Sequence, residues 1–185
     1  DLVYLAGENV VVLLIMGALT SFILGIGMTV TAAYIFLAIV LVPALTNSGI
    51  NPLASHMFVM YWGMLSFIAP PVALAAFAAA SVANVAPMRA GFEAMRLGAI
   101  IYFVPFFFVF NPALLLQGSI IENLQAFTTA IFGVAIVSGA LQGYMIGVGD
   151  LGSGIKGLVV KILVGMSGLM LALPAGGLFG FSQIA

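Results

Sequence analysis

The chain has 185 residues, 64% of them apolar and 5% charged, with four Lys and Arg, five Asp and Glu, one His and no Cys. An ordinary soluble domain carries about 25% charged residues, so this composition excludes a water-soluble globule and makes lipid the solvent. A net charge of −1 without a basic run excludes a nucleic-acid surface, and the lack of Cys removes disulfides, thiolate metal sites and cysteine nucleophiles. The opening Asp1-Leu2-Val3-Tyr4 has no initiator Met and no basic stretch before an apolar core. It is expected to be part of a longer protein rather than a signal peptide.

A helix rises about 1.5 Å per residue through a hydrocarbon core about 30 Å thick, so a crossing needs about 20 apolar residues. Val10–Leu24 and Thr31–Leu45 are apolar runs of fifteen residues each, joined through Gly25-Ile26-Gly27-Met28-Thr29-Val30-Thr31. Neither run is expected to span alone. Together the thirty-six residues are too long for one kinked crossing, which favours a re-entrant hairpin entering and leaving by one face. Thr46-Asn47-Ser48-Gly49 reads as a turn, and Asn51-Pro52 as a helix start with Asn at the N-cap and Pro at the first helical position.

The segment from Pro52 to about Asn84 is interrupted by Ala69-Pro70-Pro71 and is predicted to be two half-helices. Each proline removes the donor to the carbonyl four residues back, here Ser66 and Phe67. Non-helical backbone at membrane depth persists only when buried in protein or lining a cavity. Asn84–Arg96 reads as a loop with a small interfacial helix. Three crossings are then predicted, at Leu97–Leu116, Leu124–Val148 and about Leu158–Phe179, the first bent by Pro105 and Pro112. Gln117–Asn123 and the Gly-rich Gly149–Gly157 are read as the loops between them. The expected division is residues 1–85 for the hairpin and broken helix, 86–96 for the connecting loop, and 97–185 for the three further helices. Arg89/Arg96 and Lys156/Lys161, separated by two predicted crossings, fall on one side, which the positive-inside rule makes cytoplasmic.

The inventory of reactive groups is poor. The five carboxylates, Asp1, Glu8, Glu93, Glu122 and Asp150, all map to loops or segment ends, and His56 reads as an interfacial polar residue. No acid/base pair or metal cluster is visible, and no cofactor is expected. Gly25-x-Gly27 lacks the Lys and the strand of a phosphate loop. What remains is backbone. The first arm of the hairpin ends in free carbonyls and the second begins with free N–H groups, so one terminus attracts a cation and the other an anion. The Ser66–Pro71 break supplies a second such pair, the arrangement secondary transporters use for substrate and ions. The plainer alternative is that Gly, Thr and Pro only kink packed helices. No carboxylate lies inside a predicted span, and His56 and Lys161 fall in the first turns of theirs, so neutral oxygens would hold a coupling ion, which suits Na+ better than H+. Asn111 is a further candidate for the transport site, since a buried amide needs partners. Trp62 and the phenylalanines of 103–110 read as packing groups, and Gly143-x-x-x-Gly147 and Gly176-x-x-x-Gly180 as sites of close helix approach.

Four ordered stretches carry a family resemblance: Leu24-Gly-Ile-Gly-Met-Thr-Val-Thr-Ala-Ala-Tyr-Ile35, Pro70-Pro-Val-Ala-Leu-Ala-Ala-Phe-Ala-Ala-Ala80, Gly91-Phe-Glu-Ala-Met-Arg-Leu-Gly98 and Val104-Pro-Phe-Phe-Phe-Val-Phe-Asn-Pro-Ala-Leu-Leu-Leu116. They resemble the C-terminal part of the large permease subunit of TRAP transporters, most closely the fused type that works with TAXI receptors. The resemblance is strong over Leu13–Leu116 and weaker to the end. It implies an all-α integral membrane protein of the bacterial inner membrane, multi-pass, forming the second inverted repeat of an elevator-type carrier. The implied function is Na+-driven uptake of organic anions delivered by a periplasmic solute-binding protein. The implied partners are that receptor, a small membrane subunit or its fused equivalent, and the first repeat of the permease.

By the family pattern, Gly25, Gly27, Met28, Thr29 and Thr31 form the hairpin tip, and Ser66, Phe67, Ala69, Pro70 and Pro71 the helix break. Backbone of Gly25, Gly27, Ser66 and Phe67 is the expected Na+ contact. Two departures stand out. The family commonly reads Gly-Met-Pro-Thr-Thr at the tip, where this chain has Gly27-Met28-Thr29-Val30-Thr31, and Thr-Pro-Pro at the break, where it has Ala69-Pro70-Pro71. Hydroxyls are thus missing at Val30 and Ala69. The competing readings are a non-transporting membrane subunit or remnant, and a related carrier not coupled to Na+.

Overall fold

The computed structural model describes residues 9–26 and 28–173. The chain divides into two compact units, with the boundary after Val109.

In the first unit, α1 (Val10–Ile26) is followed by α2 (Val30–Val40), and a short α3 (Val42–Asn47) continues from α2. The Asn9 side chain accepts from the amides of Val11 and Val12, and the Thr29 side chain caps α2 by accepting from Ala32 N, so both arms start on a polar residue that satisfies otherwise orphaned donors. The expectation that neither arm spans alone needs correcting for the second. Pro43 interrupts the ladder at Leu41, but the chain stays apolar and near-helical to Asn47, giving an 18-residue span of mean hydropathy 2.0. α1, at 17 residues and roughly 25 Å, stays short of the bilayer core.

The break in the following segment is where the prolines placed it. α4 (Pro52–Met64) starts with Asn51 accepting from Leu53 N and Ala54 N, passes into a 3-10 turn at Leu65–Phe67, and resumes as α5 (Leu74–Ala83). A three-residue link, Asn84–Ala86, leads to α6 (Pro87–Leu97), which carries Arg89, Glu93 and Arg96 on its exposed side.

The predicted crossing at Leu97–Leu116 is corrected: it is not one rod. Ala99–Tyr102 is 3-10, α7 covers Val104–Phe110, and Pro112–Leu115 is 3-10 again, with α6 and the Ala99–Phe110 stretch bent by 62°. Pro105 and Pro112 deny donors to the carbonyls of Ile101 and Phe108, and each loss ends a turn.

The second unit contains α8 (Ile120–Gln142) and α9 (Gly154–Ala172), both long and apolar enough to cross a membrane. α8 begins four residues before the predicted Leu124 because Ser119 and Glu122 form a reciprocal capping box. It ends at Gln142 rather than Val148, because Gly143 takes a left-handed φ of +77° and Tyr144–Met145 (β1) turns back to pair antiparallel with Gly149–Asp150 (β2). α9 likewise starts at Gly154, ahead of the predicted Leu158.

Gly143 and Gly147 therefore lie in a cap and a turn, not on a helix face; Gly176 and Gly180 lie outside the described residues. Close approach comes from other glycines. A Cβ on Gly133 would stand 2.6 Å from Ala172 Cβ and 2.7 Å from Gly168 O, and one on Gly168 would stand 2.8 Å from Val137 Cγ2. At Gly165 an added Cβ would meet Ala140 Cβ at an ordinary 3.5 Å. Gly133→Ala is therefore expected to destabilise the α8–α9 pair by about 1–3 kcal/mol, while Gly165→Ala stays within about 1 kcal/mol of the parent. Thermal unfolding of the two variants in the same detergent measures the contrast.

Candidate functional site

The polar termini of the first unit come together through glycine. α1 packs against α4 and against the 3-10 turn at Leu65–Phe67. Gly25, buried in the last turn of α1, lies directly on the backbone of Gly63, so that a Cβ at position 25 would stand 3.1 Å from Gly63 O and 3.3 Å from Gly63 Cα. α2 joins the same contact, since a Cβ on Gly63 would meet Ala33 Cβ at 3.7 Å. The end of the first arm, the start of the second and the last α-turn before the break thus share one place.

At the break itself the carbonyl of Leu65 accepts from both Ile68 N and Ala69 N, and Ala69 O accepts from Ala73 N. Pro70 and Pro71, joined by a cis peptide bond, have no N–H to return to Ser66 or Phe67. Ala73 restarts the helix in the left-handed region, with φ +37° and ψ +46°, although it is fully buried; a non-glycine residue there costs on the order of 1 kcal/mol and persists only where its surroundings dictate it.

The residues singled out from sequence separate by environment. Gly25 and Ala69 are buried, Met28 and Pro70 half-buried, and Thr29, Thr31, Phe67 and Pro71 exposed. Gly27 and the side chain of Ser66 lie outside the described part of the structure. The Thr29 hydroxyl oxygen already serves α2 as its cap, at 3.4 Å from Ala32 N. Asn111 belongs to the second unit. There it is buried, caps the Pro112–Leu115 turn by accepting from Ala113 N at 3.3 Å, and lines a cavity of about 710 Å³ with Glu122, Gln125 and Thr129. Among the described residues no three His, Asp or Glu side chains gather as metal ligands would.

Trp62 and Phe106 pack as the sequence suggested, whereas Ser21 and Tyr102 were not singled out from it. Trp62, one residue before Gly63, is the hub of an aromatic cluster, with ring centroids 5.9 Å from Tyr102, 6.2 Å from Phe106 and 6.4 Å from both Phe22 and Phe58. Its Nε1, the Tyr102 hydroxyl and the Ser21 hydroxyl are buried without a hydrogen-bond partner among the described residues. Ser21 stands one turn before Gly25, and a polar residue in an otherwise apolar run was its visible signal. His56 is more than an interfacial group: its Nδ1 and the Tyr34 hydroxyl share a hydrogen bond at 3.0 Å, tying α2 to α4. Removing that partner with Tyr34→Phe is expected to cost about 0.5–1.5 kcal/mol, read as a lower unfolding midpoint that His56→Ala does not deepen when the two are combined.

A family model for the tripartite ATP-independent periplasmic transporter, DctM component, matches residues 1–123. No curated protein and no solved structure matches the chain. The matched part holds both arms, the Ser66–Pro71 break and α6, and extends over 123 of the 185 residues. Taken with its long apolar helices, this places the chain among multi-pass membrane transport components rather than enzymes: it belongs to the DctM component family of tripartite ATP-independent periplasmic transporters.

Proposed function

We propose that the chain is the ion- and substrate-translocating part of a TRAP permease that takes up organic anions with Na+. The hairpin of α1 and α2 is re-entrant, and together with the broken α4–α5 segment it forms the second inverted repeat of an elevator-type carrier in the bacterial inner membrane. A TAXI-type periplasmic binding protein delivers the substrate, and a small membrane subunit or its fused equivalent braces the moving part. The observation that carries this reading is the seat of Gly25 on Gly63, which sets the end of one half-helix against the last α-turn before the break in another. Helix termini at a break offer carbonyls to a cation and N–H groups to an anion without any charged side chain.

In this reading Na+ is a cargo held by backbone oxygens near Gly25, Gly27, Ser66 and Phe67. The substrate carboxylate lies toward the N-terminus of α2, with Thr29, Thr31 and Met28 around it. Ala69 has no hydroxyl to add, so carbonyls alone hold the ion at that corner. Because Ala69 is fully buried, a Thr there directs its oxygen into protein rather than into lipid.

The test is uptake of a labelled organic anion by the permease reconstituted in liposomes with its receptor, with and without an inward Na+ gradient. Uptake is expected to collapse without Na+, and Ala69→Thr to lower the half-saturating Na+ concentration. Gly25→Val, which must force Gly63 away, is expected to abolish uptake at unchanged expression. Uptake indifferent to Na+ leaves the family assignment intact and removes the coupling. No uptake under any condition favours the reading of a non-transporting subunit.

A further inference from the structure

The Gly91–Gly98 stretch is one of the four stretches singled out from sequence, yet none of its residues faces the hairpin tip in the account above. Its two glycines are seven residues apart, close to two full helical turns, with Gly91 within α6 and Gly98 capping its C-terminus. Both meet the break. A Cβ on Gly91 would stand 2.8 Å from Pro70 Cγ and 3.3 Å from Phe77 Cε1, and one on Gly98 would stand 3.0 Å from Ile68 Cδ1. α6 therefore folds back from the end of α5 and lies along Ile68–Pro70, with its charged residues turned away. Its freedom is small, because three residues connect it to α5 and Gly98 alone connects it to the 3-10 turn at Ala99.

Beyond Gly98 the chain bends by 62° and grips the other side of the same break. Tyr102 and Phe106 pack on Trp62, whose Nε1 is buried without a partner among the described residues. One continuous stretch thus holds the last turn before the break through Tyr102 and Phe106, and the break itself through Gly98 and Gly91.

We infer that α6 is a clamp, and that Gly91 and Gly98 are positioning residues that set the shape of the Ile68–Pro70 break and hence its affinity for the coupling ion. This rests on the proposed reading that Na+ is held there. A side chain at either position pushes Ile68 or Pro70 outward, and the carbonyls of Ser66 and Phe67, one to four residues upstream, move with them. Neither glycine touches ion or substrate.

Trp62 lies four residues from Ser66, so Na+ titration of the reconstituted permease, followed by the part of its fluorescence that Trp62→Phe removes, reads the break apart from transport. Gly91→Ala is expected to raise the half-saturating Na+ concentration by about fivefold or more, the size of shift an overpacked contact produces, with maximal uptake rate retained within about twofold. Gly98→Ala is expected to give a smaller shift, because Ile68 Cδ1 is the end of a flexible side chain. Ile68→Val removes that atom and is expected to restore the Gly98→Ala variant toward wild type, which a general loss of stability does not do. Gly165→Ala in α9 serves as the unchanged control. If Gly91→Ala fails to fold, the Gly98→Ala and Ile68→Val pair decides the matter alone. A wild type whose Trp62 ignores Na+ overturns the ion reading and this inference together. A wild type that responds, with glycine variants titrating identically to it, overturns the clamp alone.

Discussion

The contact on which the first unit depends is backbone on backbone, Gly25 against Gly63. A lipid-solvated chain cannot leave N–H and C=O groups facing hydrocarbon, so a helix that ends or breaks inside the membrane must be covered by protein. Gly25 lets the last turn of α1 come within van der Waals reach of the α4 backbone, just before the α-helical ladder gives way. Everything near the break is arranged around that approach. Ala33 brings α2 onto the same spot, Phe22 and Phe58 close on Trp62, and the Tyr34–His56 hydrogen bond ties the second arm to α4 further along.

The break is enforced locally and shaped from outside. Pro70 and Pro71 guarantee that two helical bonds are missing, whatever surrounds them. They do not determine where the chain goes next. Ala73, buried and left-handed, is held where an alanine would not go unaided, and the neighbours that meet the break are Gly91 of α6 and Gly98 at its C-cap. This division of labour bears on the missing hydroxyl at Ala69. Its methyl group is fully enclosed, so that corner of the break is lined by protein and not opened to lipid.

In the second unit, small residues again allow close approach, but for stability rather than for a site. Lipid tails are as apolar as the helices they surround, so association relies on packing and on what a missing side chain permits. Gly133 and Gly168 face each other across α8 and α9, with Ala172 and Val137 filling the remainder. The spaced pair at Gly143 and Gly147 has the right separation and the wrong conformation, because the helix has already ended in a left-handed cap.

Much of this architecture was legible in the residues. Composition declared the membrane, Asn51-Pro52 marked the start of α4, Pro70-Pro71 marked the break, and the Gly/Thr stretch marked the link between α1 and α2, because each of these acts within a turn or two of its own position. Both ends of α8 and the start of α9 were misplaced, those of α8 because caps outweighed hydropathy, at Ser119–Glu122 and Gly143; the predicted end at Phe179 lies outside the described residues. The Leu97–Leu116 rod was expected to bend and instead broke, because both of its prolines act within a single short stretch. What sequence alone determined was therefore where the backbone must be interrupted. Which interruption meets which was decided by tertiary structure: Gly25 and Gly63, Gly91 and Pro70, Gly133 and Gly168, Tyr34 and His56 are pairs some twenty to forty residues apart. A glycine or a polar group declares what it permits, but its partner is chosen only when the helices pack.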